Sequence, residues 1–510
     1  MSVGPRPRVV VIGGGISGLT AAFTISRAAP DAVRVIVVDK APVVGGHIGL
    51  ADVAGLQVDT GAESLLNRRP EALELARALG LGADVEHPVL DHAGLWSRGS
   101  VRPLPARTVM GVPSDPAELR GVLTAAETER VAAEPAISES PSDVDVGVGS
   151  LVAERMGPAV TERLVEPFLG GVYAGRANEL SFRATLPDLA AAFVREGSLL
   201  EAARSVREAA AAVQHAPVFA GIRGGVGRLP AAVAAASGAE IRTATTVRRL
   251  SRVAPAPGAA GSAHRPTSSA STPDHTRAGV PRHGGPAPAA GAAWRVEIGP
   301  VSAPEFIDAD AVIVAVPATP AARILADVVP AAAAELAAVE YASVAIVTLA
   351  MPLAAFPVPP GWSGYLVPPI EGRVTKAVTF SSVKWGWLAK AADELLVLRA
   401  SIGRHREQRD LQRADGELVD SVLSELAESL GVTGKSVDAR VSRWGGALPQ
   451  YGVGHLDRVT RIASAVEAVP GLAVCGAVYG GVGVAACVAS GQRAAGRVLS
   501  ALGGVPGSEP

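Results

Sequence analysis

Closely spaced glycines near the amino terminus could bind phosphate. Gly13, Gly15 and Gly18 form the pattern Gly-x-Gly-x-x-Gly. A β-branched apolar run, Arg8–Ile12, precedes them, and helical spacing follows over Leu19–Ala28. In such a unit the glycines allow a tight turn, a close pyrophosphate and close packing of helix on strand. The free N–H groups and the dipole of the helix favour negative charge there, so the motif predicts a dinucleotide site.

An acidic residue and further glycines extend this site. Asp39 follows Gly18 by about 20 residues, where a carboxylate can accept a hydrogen bond from a ribose hydroxyl and would repel a 2′-phosphate. The pair Gly45–Gly46 lies just beyond it, and the run Gly476–Gly483 again precedes a helical pattern. These glycines predict further places where the main chain comes close to the cofactor. An extended FAD requires such contacts and a freely exchanging NAD does not, so the pattern favours FAD.

The composition indicates a globular protein of at least two domains. The chain has 510 residues, of which 48% are hydrophobic and 19% charged. A net charge of −2 provides no field that would attract nucleic acid. Cys475 and Cys487 do not have a CxxC or zinc-site spacing, so we expect two free buried thiols and no metal.

No stretch of the sequence predicts a secretion signal or a membrane-spanning helix. The amino terminus lacks the apolar core of a signal peptide. Ser343–Trp362 and Val469–Gln492 are uncharged, but prolines interrupt the first and glycines the second. We therefore expect a cytoplasmic protein, with peripheral contact to a membrane left open.

A compositional break divides the second half of the chain. Helical spacing dominates from Gly149 to Val213, and β-type patterns return at Glu240. Between Val253 and Ala293 the sequence is mostly Ala, Pro, Gly, Ser and Thr. Such a segment cannot bury enough apolar surface to order itself, so it predicts a disordered insertion between two strands.

Four longer stretches resemble one flavoprotein family. They are "EPFLGGVYAGRANELS" (Glu166–Ser181), "GIRGGVGRLPAAV" (Gly221–Val233), "RWGGALPQYGVGHLDRV" (Arg443–Val459) and "GAVYGGVGVAACVASG" (Gly476–Gly491). Together with the amino-terminal motif they resemble the bacterial members of the FAD-dependent protoporphyrinogen/coproporphyrinogen oxidase family, a branch of the monoamine-oxidase-like flavoproteins. The resemblance follows family order along nearly the whole chain.

The resemblance implies an α/β fold in three parts. A discontinuous Rossmann-type FAD-binding domain would comprise residues 1–90, 216–338 and 455–510, with the insertion at about 254–293. A mainly helical domain would comprise residues 91–215, and a mixed α/β substrate domain residues 339–454. The substrate would lie between these parts, over the flavin.

The implied reaction is oxidation of a porphyrinogen with molecular oxygen as acceptor. Hydride would pass from a ring carbon to flavin N5 in three two-electron rounds, with release of peroxide. The sequence has no Ser/His/Asp set, HExxH motif or paired carboxylates, so no protein residue is predicted to be catalytic. The bias toward alanine and arginine makes the chain similar to a Gram-positive bacterial member of the family, and for such a member the resemblance implies coproporphyrinogen III as the substrate.

Several alternatives stay open at this point. Protoporphyrinogen IX is the second substrate. An amine oxidase or carotenoid desaturase would share the FAD architecture, and an escort protein would keep the fold without redox activity. Contact with the next enzyme of haem synthesis is also left open.

The resemblance also implies individual contacts. Cofactor contacts beyond Gly13, Gly15, Gly18, Asp39, Gly45 and Gly46 would be Ile16, Ser17, Lys40, His47, Gly61, Ala62, Glu63, Val247, Gly476, Gly483 and Val484. Substrate contacts would be Gly171, Val172, Arg176, Lys384 and Tyr479. His47 is a departure, because many relatives have Arg or Lys there, whereas an imidazole titrates near pH 6.5.

Overall fold

The computed structural model describes residues 6–134, 144–213, 217–253 and 293–503. The first part of the chain contains β1 (Arg8–Ile12), α1 (Ile16–Ala28), β2 (Arg34–Val38), β3 (Leu50–Val53), β4 (Leu56–Asp59), β5 (Leu65–Leu66), α2 (Pro70–Ala78), β6 (Val85–Glu86), β7 (Gly94–Ser97), β8 (Ser100–Pro103), β9 (Thr108–Val109) and β10 (Val112–Pro113). A helical stretch follows with α3 (Ala125–Ala132), α4 (Val148–Met156), α5 (Pro158–Val160), α6 (Glu166–Tyr173), α7 (Phe182–Thr185), α8 (Pro187–Glu196) and α9 (Leu199–Val213).

Strands and helices alternate in the rest of the chain. The next elements are β11 (Phe219–Ile222), α10 (Arg228–Ala236), β12 (Glu240–Arg242), β13 (Val247–Arg252), β14 (Trp294–Ile298), β15 (Glu305–Ala309), β16 (Ala311–Val314), α11 (Ala318–Leu325) and α12 (Pro330–Ala337). The last are β17 (Tyr341–Pro352), β18 (Gly364–Leu366), β19 (Thr375–Thr379), α13 (Ser381–Lys384), α14 (Gly386–Ala392), β20 (Leu395–Ile402), α15 (Asp415–Leu430), β21 (Asp438–Pro449), α16 (His455–Glu467), β22 (Leu472–Val474), α17 (Ala477–Gly480) and α18 (Val484–Ala501).

A five-stranded parallel sheet has the order β12-β2-β1-β16-β22. Helices α1 and α18 cover one face, and the β13–β15 sheet with α11, α12 and α16 covers the other. Because both faces are covered, the strands are continuous apolar runs, and Val9–Ile12 are at most 1% exposed. This is the doubly wound arrangement that binds dinucleotides at the carboxyl ends of its strands, and it confirms the predicted α/β Rossmann-type fold.

A seven-stranded mixed sheet has the order β21-β17-β20-β19-β18-β7-β8. Helix α15 packs on one face through Leu418, Val422 and Leu426. Strands β7 and β8 lie within the segment predicted to be mainly helical, residues 91–215, yet β7 pairs in parallel with β18 of this sheet. The helices α3–α9 form their own apolar core, and the division of the chain into three domains stays a prediction.

The predicted insertion lies outside the described residues, but its two flanks are visible. Strands β13 and β14 pair antiparallel, from Val247 opposite Ile298 to Arg252 opposite Trp294. The segment between them therefore begins and ends at the same edge of a sheet, as the β-type patterns on both sides predicted. Among the described residues, none of the helices has the length and apolar character needed to cross a bilayer.

Candidate functional site

The amino-terminal glycine turn has the geometry that the motif predicts. Gly13 has φ +116°, and a Cβ there would lie 2.5 Å from the Ala315 carbonyl oxygen. A Cβ on Gly18 would lie 2.0 Å from the Gly13 carbonyl oxygen. Gly15, in contrast, is the N-cap of α1, and a Cβ there would meet no atom within 4 Å. The first and last glycines thus allow packing, whereas the middle one borders the open space at the start of α1.

The second glycine pair lies directly against this turn. The Gly45 N–H donates to the Gly14 carbonyl oxygen at 2.8 Å, and Gly15 and Gly45 form an isolated parallel bridge. A Cβ on Gly46 would lie 3.4 Å from the Gly15 Cα. Main chain from two loops therefore forms one continuous wall at the start of α1.

Asp39 connects the glycine turn to the neighbouring strand. Its Oδ2 accepts from the Gly14 N–H, and its Oδ1 accepts from the Ala41 N–H at 2.7 Å. The main chain of Asp39 also accepts from the Thr245 N–H at 2.8 Å, two residues before Val247. Asp39 is thus bonded to the segment that leads into Val247, and the exposed Lys40 follows Asp39 directly.

A third glycine loop reaches the same edge of the sheet. Gly476 and Gly481 have φ values of +137° and +128°, and Gly483 is the N-cap of α18. A Cβ on Gly476 or Gly483 would meet no atom within 4 Å. Because β1 and β22 run parallel, helices α1 and α18 both begin at this edge, so two helix N-termini border the candidate site.

Two aromatic side chains fix this carboxyl-terminal loop. The Tyr451 hydroxyl donates to the Ala477 carbonyl oxygen and accepts from the Gly481 N–H at 2.9 Å. The Tyr451 ring stacks on the His455 imidazole with centroids 3.9 Å apart, and His455 Nε2 bonds the Val478 carbonyl oxygen at 2.9 Å. Burial lowers the pKa of His455 to about 4, so the imidazole is neutral and Nε2 carries the proton.

A buried carboxylate organises the opposite wall. Glu63 accepts hydrogen bonds from Ser381 (2.8 Å), Lys384 (3.2 Å), Trp385 (3.2 Å) and Arg399 (2.7 Å). Arg399 also donates to the Gly61 carbonyl oxygen, and Lys384 to the Ser64 hydroxyl. Burial raises the pKa of Glu63, but the charges of Lys384 and Arg399 outweigh it and the pKa is about 2. Segment 61–64 is thereby fixed to the seven-stranded sheet.

His47 lies between the glycine wall and this network. Its ring meets that of Trp444 edge to face, with centroids 5.4 Å apart, and the Trp444 indole donates to the Thr60 carbonyl oxygen at 2.7 Å. A Cβ on Gly61 would lie 1.8 Å from the His47 carbonyl oxygen, so the two segments require a glycine here. Surrounding protein and then the charge of Lys40 lower the pKa of His47, so this side chain provides no fixed positive charge at neutral pH.

The predicted substrate residues have diverse surroundings. Gly171 and Val172 are exposed on the last turn of α6. Arg176 forms an ion pair with Glu407, and the Lys384 ammonium is held by Glu63 and Ser64. Tyr479 packs against the apolar core behind the parallel sheet. The structure thus engages both cations with protein carboxylates, and their contact with substrate stays a prediction.

The sequence analysis did not identify three members of the network around Glu63, namely Ser381, Trp385 and Arg399. Ser381 and Arg399 come from segments more than 300 positions away along the chain. One signal was present, because Arg399 is the single charge within the apolar strand "LLVLRASI" (Leu395–Ile402). A charged residue in a buried strand requires a partner, but the sequence does not indicate which one.

The two cysteines are free and buried, as expected. Cys475 follows β22, and Cys487 lies on α18. Burial raises the pKa of both thiols, that of Cys487 to about 11.

These features fit an extended dinucleotide cofactor. Open space borders the positions of Gly15, Gly476 and Gly483, and two helix N-termini face the same edge. Asp39 keeps further lone pairs on each carboxylate oxygen beyond the two N–H groups that it binds. Ile16, Ser17, Ala62 and Val484 lie within these same loops and helix starts, so the structure places them on the glycine loops or directly beside them.

Comparison with known proteins gives relatives over nearly the whole chain. Coproporphyrinogen III oxidase of Mycobacterium tuberculosis (strain ATCC 25618 / H37Rv) is 34% identical over 497 residues, covering 96% of this chain and 97% of the relative. Protoporphyrinogen oxidase of Bos taurus is 28% identical over 527 residues, covering 96% and 98%. A crystal structure of a candidate protoporphyrinogen oxidase from Exiguobacterium sp. 255-15 has a TM-score of 0.78 and 26% identity, covering 96% and 98%.

A family model also matches most of the chain. The model for flavin containing amine oxidoreductases matches residues 16–272 and 294–499. The match begins at the first residue of α1 and ends within α18, so it includes Gly18, the pair Gly45–Gly46 and the loop at residues 476–483. The predicted FAD cofactor is thereby confirmed, and the protein is a flavin-dependent oxidoreductase. The chain belongs to the flavin containing amine oxidoreductase family.

Proposed function

We propose that this protein oxidises coproporphyrinogen III to coproporphyrin III in haem biosynthesis, with FAD as cofactor and molecular oxygen as acceptor. The observation that carries the proposal is 34% identity, over 96% of the chain, to a coproporphyrinogen III oxidase. The geometry supports it, because three glycine loops and two helix N-termini lie at one edge of the parallel sheet.

When bound, FAD supplies two-electron oxidation, and the protein residues bind and orient the reactants. The glycine loops at residues 13–18, 45–46 and 476–483 would hold the cofactor through main-chain N–H groups. Tyr451 fixes the third loop, and the network of Glu63 fixes the facing segment. Gly171 and Val172, at the exposed end of α6, would contact the macrocycle. Holding two reactants in a fixed geometry that excludes water is itself a large part of the rate enhancement.

Protoporphyrinogen IX is the second candidate substrate. The relative from Bos taurus, at 28% identity over 527 residues, is named for that reaction. The two macrocycles differ in carboxylates, four in coproporphyrinogen and two in protoporphyrinogen. The cations that bind these carboxylates would therefore determine which substrate the protein prefers. We further propose that the protein acts in the cytoplasm and transfers its product to the next enzyme of the pathway.

A comparison of the two porphyrinogens tests the function. The purified protein should be yellow, with about one FAD per chain, and should oxidise coproporphyrinogen III with peroxide formed in parallel. We expect a higher kcat/KM for coproporphyrinogen III than for protoporphyrinogen IX. Turnover of a primary amine in place of either porphyrinogen would contradict the proposal, as would colourless protein with full activity.

A further inference from the structure

A buried lysine in the seven-stranded sheet has no counter-ion among the residues that the structure describes. Lys376 lies in β19 and is 4% exposed. It occupies a bulge, because the pairing with β20 passes from Ala377 opposite Ser401 to Thr375 opposite Ile402. Among the described residues, no side chain forms an ion pair or a hydrogen bond with its ammonium group. Buried cations in folded proteins are normally paired, so this ammonium requires an explanation.

A second buried cation lies beside it. Arg404 is 6% exposed and donates to the Val367 carbonyl oxygen at 3.2 Å, while the Val367 N–H donates to the Lys376 carbonyl oxygen at 2.9 Å. The two residues thus flank Val367 at the end of β18. Burial, and then the charge of Arg404, lower the pKa of Lys376 to about 7, so an added negative charge would favour its protonated form.

Protein carboxylates near the pair have other partners. The acidic groups that act on Arg404 are Glu407, Glu166 and Glu425. Glu407 pairs with Arg176 and lies 3.9 Å from Arg404, and Glu166 accepts from the Ala177 N–H. Glu425 accepts from the N–H groups of Val374 and Thr375. These carboxylates leave the Lys376 ammonium unpaired.

The pair adjoins the part of α6 that is predicted to meet the substrate. The His405 N–H donates to the carbonyl oxygen of Ala174, directly after α6, at 2.6 Å. On the other side, Leu366 Cδ2 lies 3.8 Å from the position of a Cβ on Gly171. Arg404 therefore directly precedes the residue that hydrogen-bonds the end of α6, and the Lys376 carbonyl oxygen accepts from Val367, the residue after Leu366.

We propose that the Lys376 ammonium and the Arg404 guanidinium form an anion subsite that binds one carboxylate of the tetrapyrrole substrate. This inference rests on the proposed function, because it assigns a substrate group to the cations. A carboxylate here would complete the pairing of the lysine and fix the orientation of the macrocycle relative to α6. The subsite would favour coproporphyrinogen, whose four carboxylates extend from more edges of the ring than the two of protoporphyrinogen.

The test compares Lys376→Met with Lys390→Met, a control that removes an exposed lysine from α14. Loss of one charged hydrogen-bonding group should raise the KM for coproporphyrinogen III about 10- to 100-fold, with kcat nearly unchanged. The Kd of the product coproporphyrin III, measured by fluorescence without turnover, should rise by a similar factor. Lys390→Met should change neither constant.

Stability distinguishes a binding role from a structural one. The melting temperature of ligand-free Lys376→Met should equal or exceed that of the wild type, because an unpaired buried charge is removed. Unchanged KM and Kd in Lys376→Met would overturn the subsite. If that variant fails to fold, Lys376→Gln is measured instead, with the same expectations. Wild-type protein that binds coproporphyrin III but turns over neither porphyrinogen would contradict the proposed function and leave the subsite supported.

Discussion

The two walls of the candidate site are built on different principles. On one side, Gly13–Gly18 and Gly45–Gly46 present main chain, and the decisive contacts are between backbone atoms of closely packed segments. On the other side, Glu63 collects four side chains from residues 381–399, more than 300 positions further along the chain. The first wall requires small residues at fixed spacing in the sequence. The second requires a carboxylate and its cationic partners to meet in the folded structure.

This difference determines how each wall responds to change. The glycines of the main-chain wall have no side chain to lose, so substitution there harms the wall through added volume. A charged network is harmed by the removal of any one member, because its remaining charges stay buried without a partner. Four experiments follow, beginning with the largest expected effect.

Added volume at Gly15 should abolish FAD retention. A Cβ at Gly15 meets no protein atom within 4 Å, so Gly15→Leu should fold normally while its side chain fills the space of the pyrophosphate. The control is Gly361→Leu, an exposed position that is equally free of neighbours. Flavin content is measured by absorbance and folding by circular dichroism. A yellow Gly15→Leu protein with full flavin content would show that the glycine turn does not border the pyrophosphate.

Removal of the charge at Glu63 should lower the free energy of unfolding, with little change in flavin content. Glu63→Gln leaves Lys384 and Arg399 buried without a carboxylate, and breaking such a buried pair costs about 3–5 kcal/mol. Urea unfolding of the holoprotein measures the free energy, and Glu394→Gln at an exposed position is the control. A loss below about 1 kcal/mol, the size of a surface ion pair, would show that the network does not stabilise the second wall.

Acid should remove the same stabilisation. The pKa of Glu63 is lowered to about 2, below the value of about 4.3 for a free glutamate, so its stabilisation is complete above pH 5 or so. As the pH falls toward 2 the carboxylate is protonated, and the difference in unfolding free energy between wild type and Glu63→Gln should shrink. Unfolding curves at pH 7, 5, 4 and 3 measure it. A difference that stays constant over this range would assign the effect to packing alone.

Loss of the Tyr451 hydroxyl should have the smallest effect. Tyr451→Phe keeps the ring stacked on His455 but removes the hydrogen bonds to Ala477 and Gly481. The expected cost is about 1–2 kcal/mol, seen as faster FAD release from a protein of nearly unchanged fold. Stopped-flow flavin fluorescence measures the release. Release at the wild-type rate would show that the third glycine loop needs no side-chain support.

The first wall was predictable from sequence and the second was not. Gly13, Gly15, Gly18 and Asp39 lie within one strand–turn–helix–strand unit, where local spacing determines geometry. The parallel sheet was predictable for the same reason, since Arg8–Ile12 and Arg34–Val38 are short apolar runs with clear ends. The partners of Glu63 depend on how two sheets pack, and no local pattern contains that information. The strands at residues 94–103 were missed similarly, because their pairing with β18 is a long-range contact.

The burial of Cys475 and Cys487 affects how readily these thiols are oxidised. The proposed reaction would release peroxide and expose the protein's own sulfur atoms to an oxidant at every turnover, and the thiolate is the form that reacts. With both thiols buried and their pKa raised, almost no thiolate exists at neutral pH. We therefore expect Cys475 and Cys487 to react only slowly with peroxide over repeated turnover.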